Sequence, residues 1–135
     1  MTDLPLVQLI SDTGKPWDFV VSGDPRTYAD LATPAGLAEI AGYARCIGPN
    51  KNLIIPRDRS GNLLAPTGLV SNAHAAGLVV HSWTFRRENG FLPLDFRIGA
   101  DPSVTGNLIG ELQLFYGAGV DGVFSDNPDI AVQAR

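Results

Sequence analysis

The residues suited to chemistry are few, and they cluster near the ends of apolar runs. His81 and Trp83 stand two apart in Leu78-Val79-Val80-His81-Ser82-Trp83-Thr84, a stretch rich in β-branched and aromatic residues that reads as a strand. A spacing of two places both side chains on one face, with Trp83 nearer the carboxyl end. His81 there offers a general base or a donor to phosphate, provided a carboxylate orients it; a hydrogen-bonded core histidine is the plainer reading. Trp83 suits the floor of a small apolar or polyol site, or equally the filling of a core. Arg86 and Arg87 follow in the next loop, where they either grip a phosphate bidentately or form a solvated pair. Asp126 precedes Asn127-Pro128 and is suited to holding a metal, orienting a donor or capping a helix. Asp121 in a Val-Asp-Gly turn reads as structural, and His74, between two alanines in a helical stretch, reads as solvated or packed.

The absences narrow the chemistry further. A metal-dependent hydrolase needs several converging carboxylates or histidines. The strand ends here offer Asp12 and Asp126 and no spaced pair of histidines. The lone cysteine, Cys46, permits neither an internal disulfide nor a cysteine-rich metal site. No Gly-x-Ser-x-Gly elbow or Walker loop is present, and no Gly-x-Gly-x-x-Gly turn follows the first strand. Fourteen acidic against 10 basic residues give a formal charge of −4 with no basic stripe. That leaves a nucleic-acid or anionic-membrane partner without electrostatic support. No apolar run approaches the roughly 20 residues of a membrane span. Met1-Thr2-Asp3-Leu4-Pro5 lacks a charged region ahead of an apolar stretch, so no secretory leader is expected there.

The elements that must position these residues are short, because 15 glycines and 10 prolines punctuate the chain. Leu6-Val7-Gln8-Leu9-Ile10 reads as a buried strand, and Lys15 to Leu31 as a long loop. Thr33 caps a helix that opens at Pro34 and buries Leu37, Ile40, Ala41 and Ala44. Cys46-Ile47-Gly48-Pro49 is a very short strand, followed by the apolar Leu53-Ile54-Ile55. Pro66 to Ala76 is a second helix closed by Gly77, and Leu78 to Thr84 is the clearest strand. A charged connection from Phe85 to Asp101 leads to a helix over Thr105 to Tyr116, then a strand over Val120 to Ser125 and a final helix from Asn127-Pro128. The order is β-α-β-α-β-α-β-α, which forces parallel pairing. A complete (β/α)₈ barrel takes about 250 residues, so 135 residues admit either a small doubly wound sheet or part of a barrel. In both, the long loops leaving the carboxyl ends of the strands build the site. The missing glycine-rich turn weakens the doubly wound alternative.

In order along the chain, Leu6-Val7-Gln8-Leu9-Ile10, Ile47-Gly48-Pro49, Leu78 to Arg86 and Gly119-Val120-Asp121-Gly122-Val123-Phe124-Ser125-Asp126-Asn127-Pro128-Asp129 together resemble the carboxyl-terminal half of a glycerophosphodiester phosphodiesterase of the periplasmic or secreted type. The last motif is the most specific; Ser125 replaces the usual threonine, and Ser82 stands where proline is common. The resemblance covers nearly the whole chain. It implies that residues 1–135 form the α/β, parallel (β/α)4 half of a TIM (β/α)8 barrel. It also implies hydrolysis of glycerophosphodiesters to glycerol 3-phosphate and an alcohol, with a divalent cation, calcium or magnesium. The family's His-Arg-Gly, Glu-x-Asp, His-Asp and Glu-x-Lys motifs, which carry its histidine pair and metal ligands, do not occur in this sequence. The metal ligands are therefore expected outside this chain, and the chain alone is expected to be inactive. What carries over is a substrate-side wall: Trp83 near the glycerol group, His81, Arg86 and Phe115 near or behind it, and Gln8 lining the barrel interior. Four strands leave two open edges and an uncovered inner face. The alternative to an enzyme half is thus a non-catalytic half-barrel that assembles with itself or with a partner half.

Overall fold

The computed structural model describes residues 4–135, so the reading of the first three residues as no leader lies outside the described residues. Four strands, β1 (Val7–Ile10), β2 (Cys46–Pro49), β3 (Val79–Phe85) and β4 (Gly122–Ser125), form one sheet in the order β1-β2-β3-β4. Every pairing is parallel, with Gln8 opposite Ile47 and Ile47 opposite Val80. Each strand is followed by helical structure, so sequential neighbours pair and the sheet remains unclosed. This is four βα units of a barrel.

The chain between β1 and β2 contains three helices: α1 (Trp17–Ser22), α2 (Tyr28–Leu31) and α3 (Pro34–Ala41). The expected loop over 15–31 is thus largely helical. No apolar periodicity announced α1, which buries no residue; α2 is held by a capping box between Thr27 and Asp30. Thr33 caps α3 as its type predicts, accepting a hydrogen bond from the Gly36 amide at 3.2 Å. The other helices are α4 (Leu69–Ala75), α5 (Leu108–Gly117) and α6 (Pro128–Gln133). Helices α4 and α5 begin three residues later than their sequence signals, the latter where Asn107 accepts from the Gly110 amide at 3.0 Å. Leu53 lies in a 3-10 turn, Lys51–Leu53, and the following Ile54 and Ile55 are buried.

One face of the sheet packs on the helices. Ile10, Ile47, Val80 and Phe85 meet Leu37 and Ile40 of α3, Val70 and Ala73 of α4, and Leu112 and Phe115 of α5. The opposite face, which would line a closed barrel, is open. Val7 and Leu9 there are 41% and 53% exposed, and Phe124 is 44% exposed. Strand β1 is therefore not the buried strand its composition suggested, since it has one neighbour and only its helix-side residues find cover.

Candidate functional site

The carboxyl ends of β2 and β3 open into a cleft of about 390 Å³ lined by Asn50, Lys51, Arg57, Trp83, Arg86 and Phe91, among others. Asn50 pairs with Trp83 across the two strands, which brings the turn after β2 against the end of β3. The Trp83 indole N–H donates to the Gly48 carbonyl oxygen at 2.6 Å, and this fixes the ring as one wall. Ser82, facing the other way, is fully buried and donates to the Pro49 carbonyl at 3.2 Å. The Trp83–Thr84 peptide is cis.

Behind the cleft lies a buried ion cluster. Glu111 projects from α5 with no exposed surface, and its Oε1 accepts from Lys51 Nζ at 2.8 Å and from Arg57 Nη2 at 3.2 Å. The Phe91 carbonyl accepts from the same two cations at 3.4 and 3.1 Å. Glu111 Oε2 is buried without a partner. Burial pushes Lys51 and Arg57 below their ordinary pKa values, and the Glu111 carboxylate pulls both back. Phe91 is held by its own loop, whose hub is Asn89. That side chain donates to the Ile98 and Asp101 carbonyls at 2.8 and 2.9 Å and accepts from the Ile98 amide at 2.9 Å.

Of the residues expected to form the wall, Trp83 and Arg86 meet in this cleft. Arg86 Nε donates to Asp126 Oδ2 at 2.6 Å, and the guanidinium lies 4.6 Å from the Phe91 ring centroid. Asp126 thus orients an arginine, while Arg87 turns away to Glu88 at 3.6 Å. His81 shares Trp83's face but does not line the cleft. Its ring lies across Gly122, where an added Cβ would come within 2.8 Å of the imidazole, and 6.5 Å from the Phe124 ring. Among the described residues no carboxylate hydrogen-bonds the His81 side chain; Asp121 pairs instead with His74, at 2.9 Å.

Two further expected residues lie outside the cleft. Phe115 is 1% exposed in the helix-side core and packs edge-on against Phe85, with centroids 5.0 Å apart, so it backs the sheet without reaching the cleft. Gln8 does not face the barrel interior. Parallel register puts it on the side of Ile47 and Val80, and Tyr43 donates to its Oε1 at 2.9 Å. Its neighbours Val7 and Leu9 take the inner face, beside Gly48.

The sequence reading missed Lys51, Arg57 and Glu111. Two signals were available. Asn50-Lys51 is a polar pair directly after a four-residue apolar strand, and Glu111 interrupts the buried stripe of Leu108, Leu112 and Phe115. The donor set does not suit a divalent cation, since Lys51, Arg57 and Arg86 dominate the cleft. Asp12 accepts from Asn52, which lines the cleft, at 3.1 Å. Among the described residues no three His, Cys, Asp or Glu side chains converge to hold a metal. No described helix is long and apolar enough to cross a membrane.

Four parallel βα units with a ligand-sized cleft at the carboxyl ends of their strands define half of a TIM-type barrel. Within that class, the model of the glycerophosphoryl diester phosphodiesterase family matches residues 1–130, and the chain belongs to that family. It is 37% identical over 127 residues to glycerophosphodiester phosphodiesterase GDPD6 of Arabidopsis thaliana, covering 93% of this chain and 31% of that protein. The chain thus spans about a third of that relative's length. The family uses a divalent metal ion.

Proposed function

We propose that this chain supplies the substrate-side wall of a phosphoric diester hydrolase that cleaves glycerophosphodiesters to glycerol 3-phosphate and an alcohol. The observation that carries this reading is the meeting of Trp83 and Arg86 in one cleft at the carboxyl ends of β2 and β3 in a chain of this family. The indole wall suits the carbon face of a glycerol group. Arg86, held by Asp126, presents its guanidinium beside it. Calcium or magnesium and the acid/base groups are supplied by the remainder of a closed barrel, because this sequence contains none of the family motifs that hold them.

The exposed inner face favours completion of the barrel. Val7, Leu9 and Phe124 stand on it at 41%, 53% and 44% exposure, a face that a further set of βα units or a second half-barrel would cover. The test is release of glycerol 3-phosphate from glycerophosphocholine by the isolated chain with calcium or magnesium. No turnover is expected. Robust metal-dependent turnover by the 135-residue chain overturns the assignment of metal and acid/base roles to other sequence.

A further inference from the structure

The cleft holds more hydrogen-bond donors than the protein uses. Arg57 commits Nη2 to the Phe91 carbonyl and Glu111, while its Nε and Nη1 hydrogen-bond nothing among the described residues. Arg86 commits Nε to Asp126, and both its terminal nitrogens are without an acceptor among the described residues. Lys51 Nζ, 5.0 Å from the Phe85 ring centroid, makes two of its three hydrogen bonds. These cations come from three separate segments and line one cleft. The side chains of Lys51 and Arg57 are only 10% and 21% exposed, yet the unused Arg57 nitrogens still reach solvent, since among the described residues the buried side-chain atom without a partner is Glu111 Oε2.

We infer that Lys51, Arg57 and Arg86 form a cradle for a phosphate monoester dianion, with Glu111 as the positioning residue that holds Lys51 and Arg57 from behind. Glu111, Asp126 and the nearby Asp12 offset the three positive charges, so long-range attraction is small and donor number does the selecting. A monoester offers three terminal oxygens and close to two charges at neutral pH, against two oxygens and one charge for a diester. The unused guanidinium edges match that richer acceptor. The burial that pushes Lys51 and Arg57 toward their neutral forms is what an anion in the cleft would counter. This deepens the substrate-wall reading by adding an anion end beside Trp83, but the cradle itself does not need a glycerol group.

The test titrates the 135-residue chain at low salt with inorganic phosphate, glycerol 3-phosphate and glycerol, following heat and the Trp83 indole N–H resonance. Saturable phosphate binding is expected, weakened about tenfold by Arg57→Gln and by Arg86→Gln, each of which removes one charge-assisted contact. Glu111→Gln is expected to weaken phosphate about tenfold while leaving the ratio of glycerol 3-phosphate to phosphate affinity unchanged. Should that core variant unfold, the two arginine variants decide the matter. Absence of saturable phosphate binding, or equal binding by the wild type and both arginine variants, overturns the cradle. The two readings fail separately. Phosphate binding with no gain from the glycerol group keeps the cradle and removes the Trp83 wall, whereas a Trp83 response to glycerol without phosphate binding does the reverse.

Discussion

Trp83 of β3 donates its indole N–H to the carbonyl oxygen of Gly48 on β2 at 2.6 Å. The bond crosses between neighbouring strands at the foot of the cleft and fixes the angle of a large aromatic wall. On its other side Gly48 makes room for β1, since a Cβ there would lie 2.5 Å from Leu9 Cδ2 and 3.3 Å from Val7 Cγ1.

Trp83→Phe keeps a ring and removes the donor. Loss of that hydrogen bond is expected to cost about 1 kcal/mol, read as a lower urea midpoint with an unchanged slope. An unaltered midpoint means that the bond is not holding the ring.

Glu111 and Lys51 form a largely buried ion pair at 2.8 Å. Glu111→Leu leaves the Lys51 ammonium buried without its partner and is expected to destabilise the fold by about 3–5 kcal/mol. Lys51→Met combined with Glu111→Leu is expected to recover part of that loss, because the second change removes the more buried of the two cations that Glu111 holds and leaves Arg57. Additive losses in the double-mutant cycle would show that the two groups are uncoupled.

Asn89 is 1% exposed and makes three hydrogen bonds that tie the connection after β3 to itself. Asn89→Ala is expected to cost about 2–3 kcal/mol, since each lost bond leaves a backbone group to be satisfied elsewhere. Limited proteolysis checks where the damage falls. Cleavage should rise within residues 88–106 and not in the turn after β2.

Asp121 gives stability a pH dependence. Burial pushes its carboxyl up, but the His74 ring, the Val80 amide at 2.7 Å and the charges of both histidines outweigh burial and hold it below the usual carboxylate range. A depressed folded value means the unfolded chain binds the proton more readily. The contribution is therefore present above the unfolded pKa of about 4 and lost as pH falls through the folded value. Asp121→Asn should be less stable than the wild type at pH 7, and the gap should narrow as the pH drops below about 4. A gap that stays constant down to pH 3 contradicts this linkage.

Much of the fold was legible because local rules governed it. Thr33-Pro34 announced a helix start, and the structure uses both residues as their chemistry predicts. The short apolar runs became strands, and helical returns between them required parallel pairing. The stretch over 15–31 was less legible, since α1 fully buries no residue and only Phe19 leans on the core, which leaves no apolar stripe to read. Part of the site was legible too. Alternation along β3 correctly placed His81 and Trp83 on one face, and closeness to the strand end marked Arg86. On β1 the same alternation, in register with Ile47 and Val80, turns Gln8 toward the helices.

By itself, then, the sequence determined the order of elements, the parallel sheet, the family and the face of β3 that carries Trp83, the wall of the cleft, all of which depend on neighbours within a few positions. The cation cluster behind that wall was decided only by the tertiary structure. Lys51 and Glu111 are 60 positions apart, and Arg57 and Glu111 are 54 apart. Neither separation has a periodicity to betray it. The contacts exist because β2 and β3 lie side by side, α5 packs behind them, and the Asn89 loop closes over the top. A carboxylate in an apolar stripe can be read as unusual, but which cations it holds depends on the packing of elements distant in sequence.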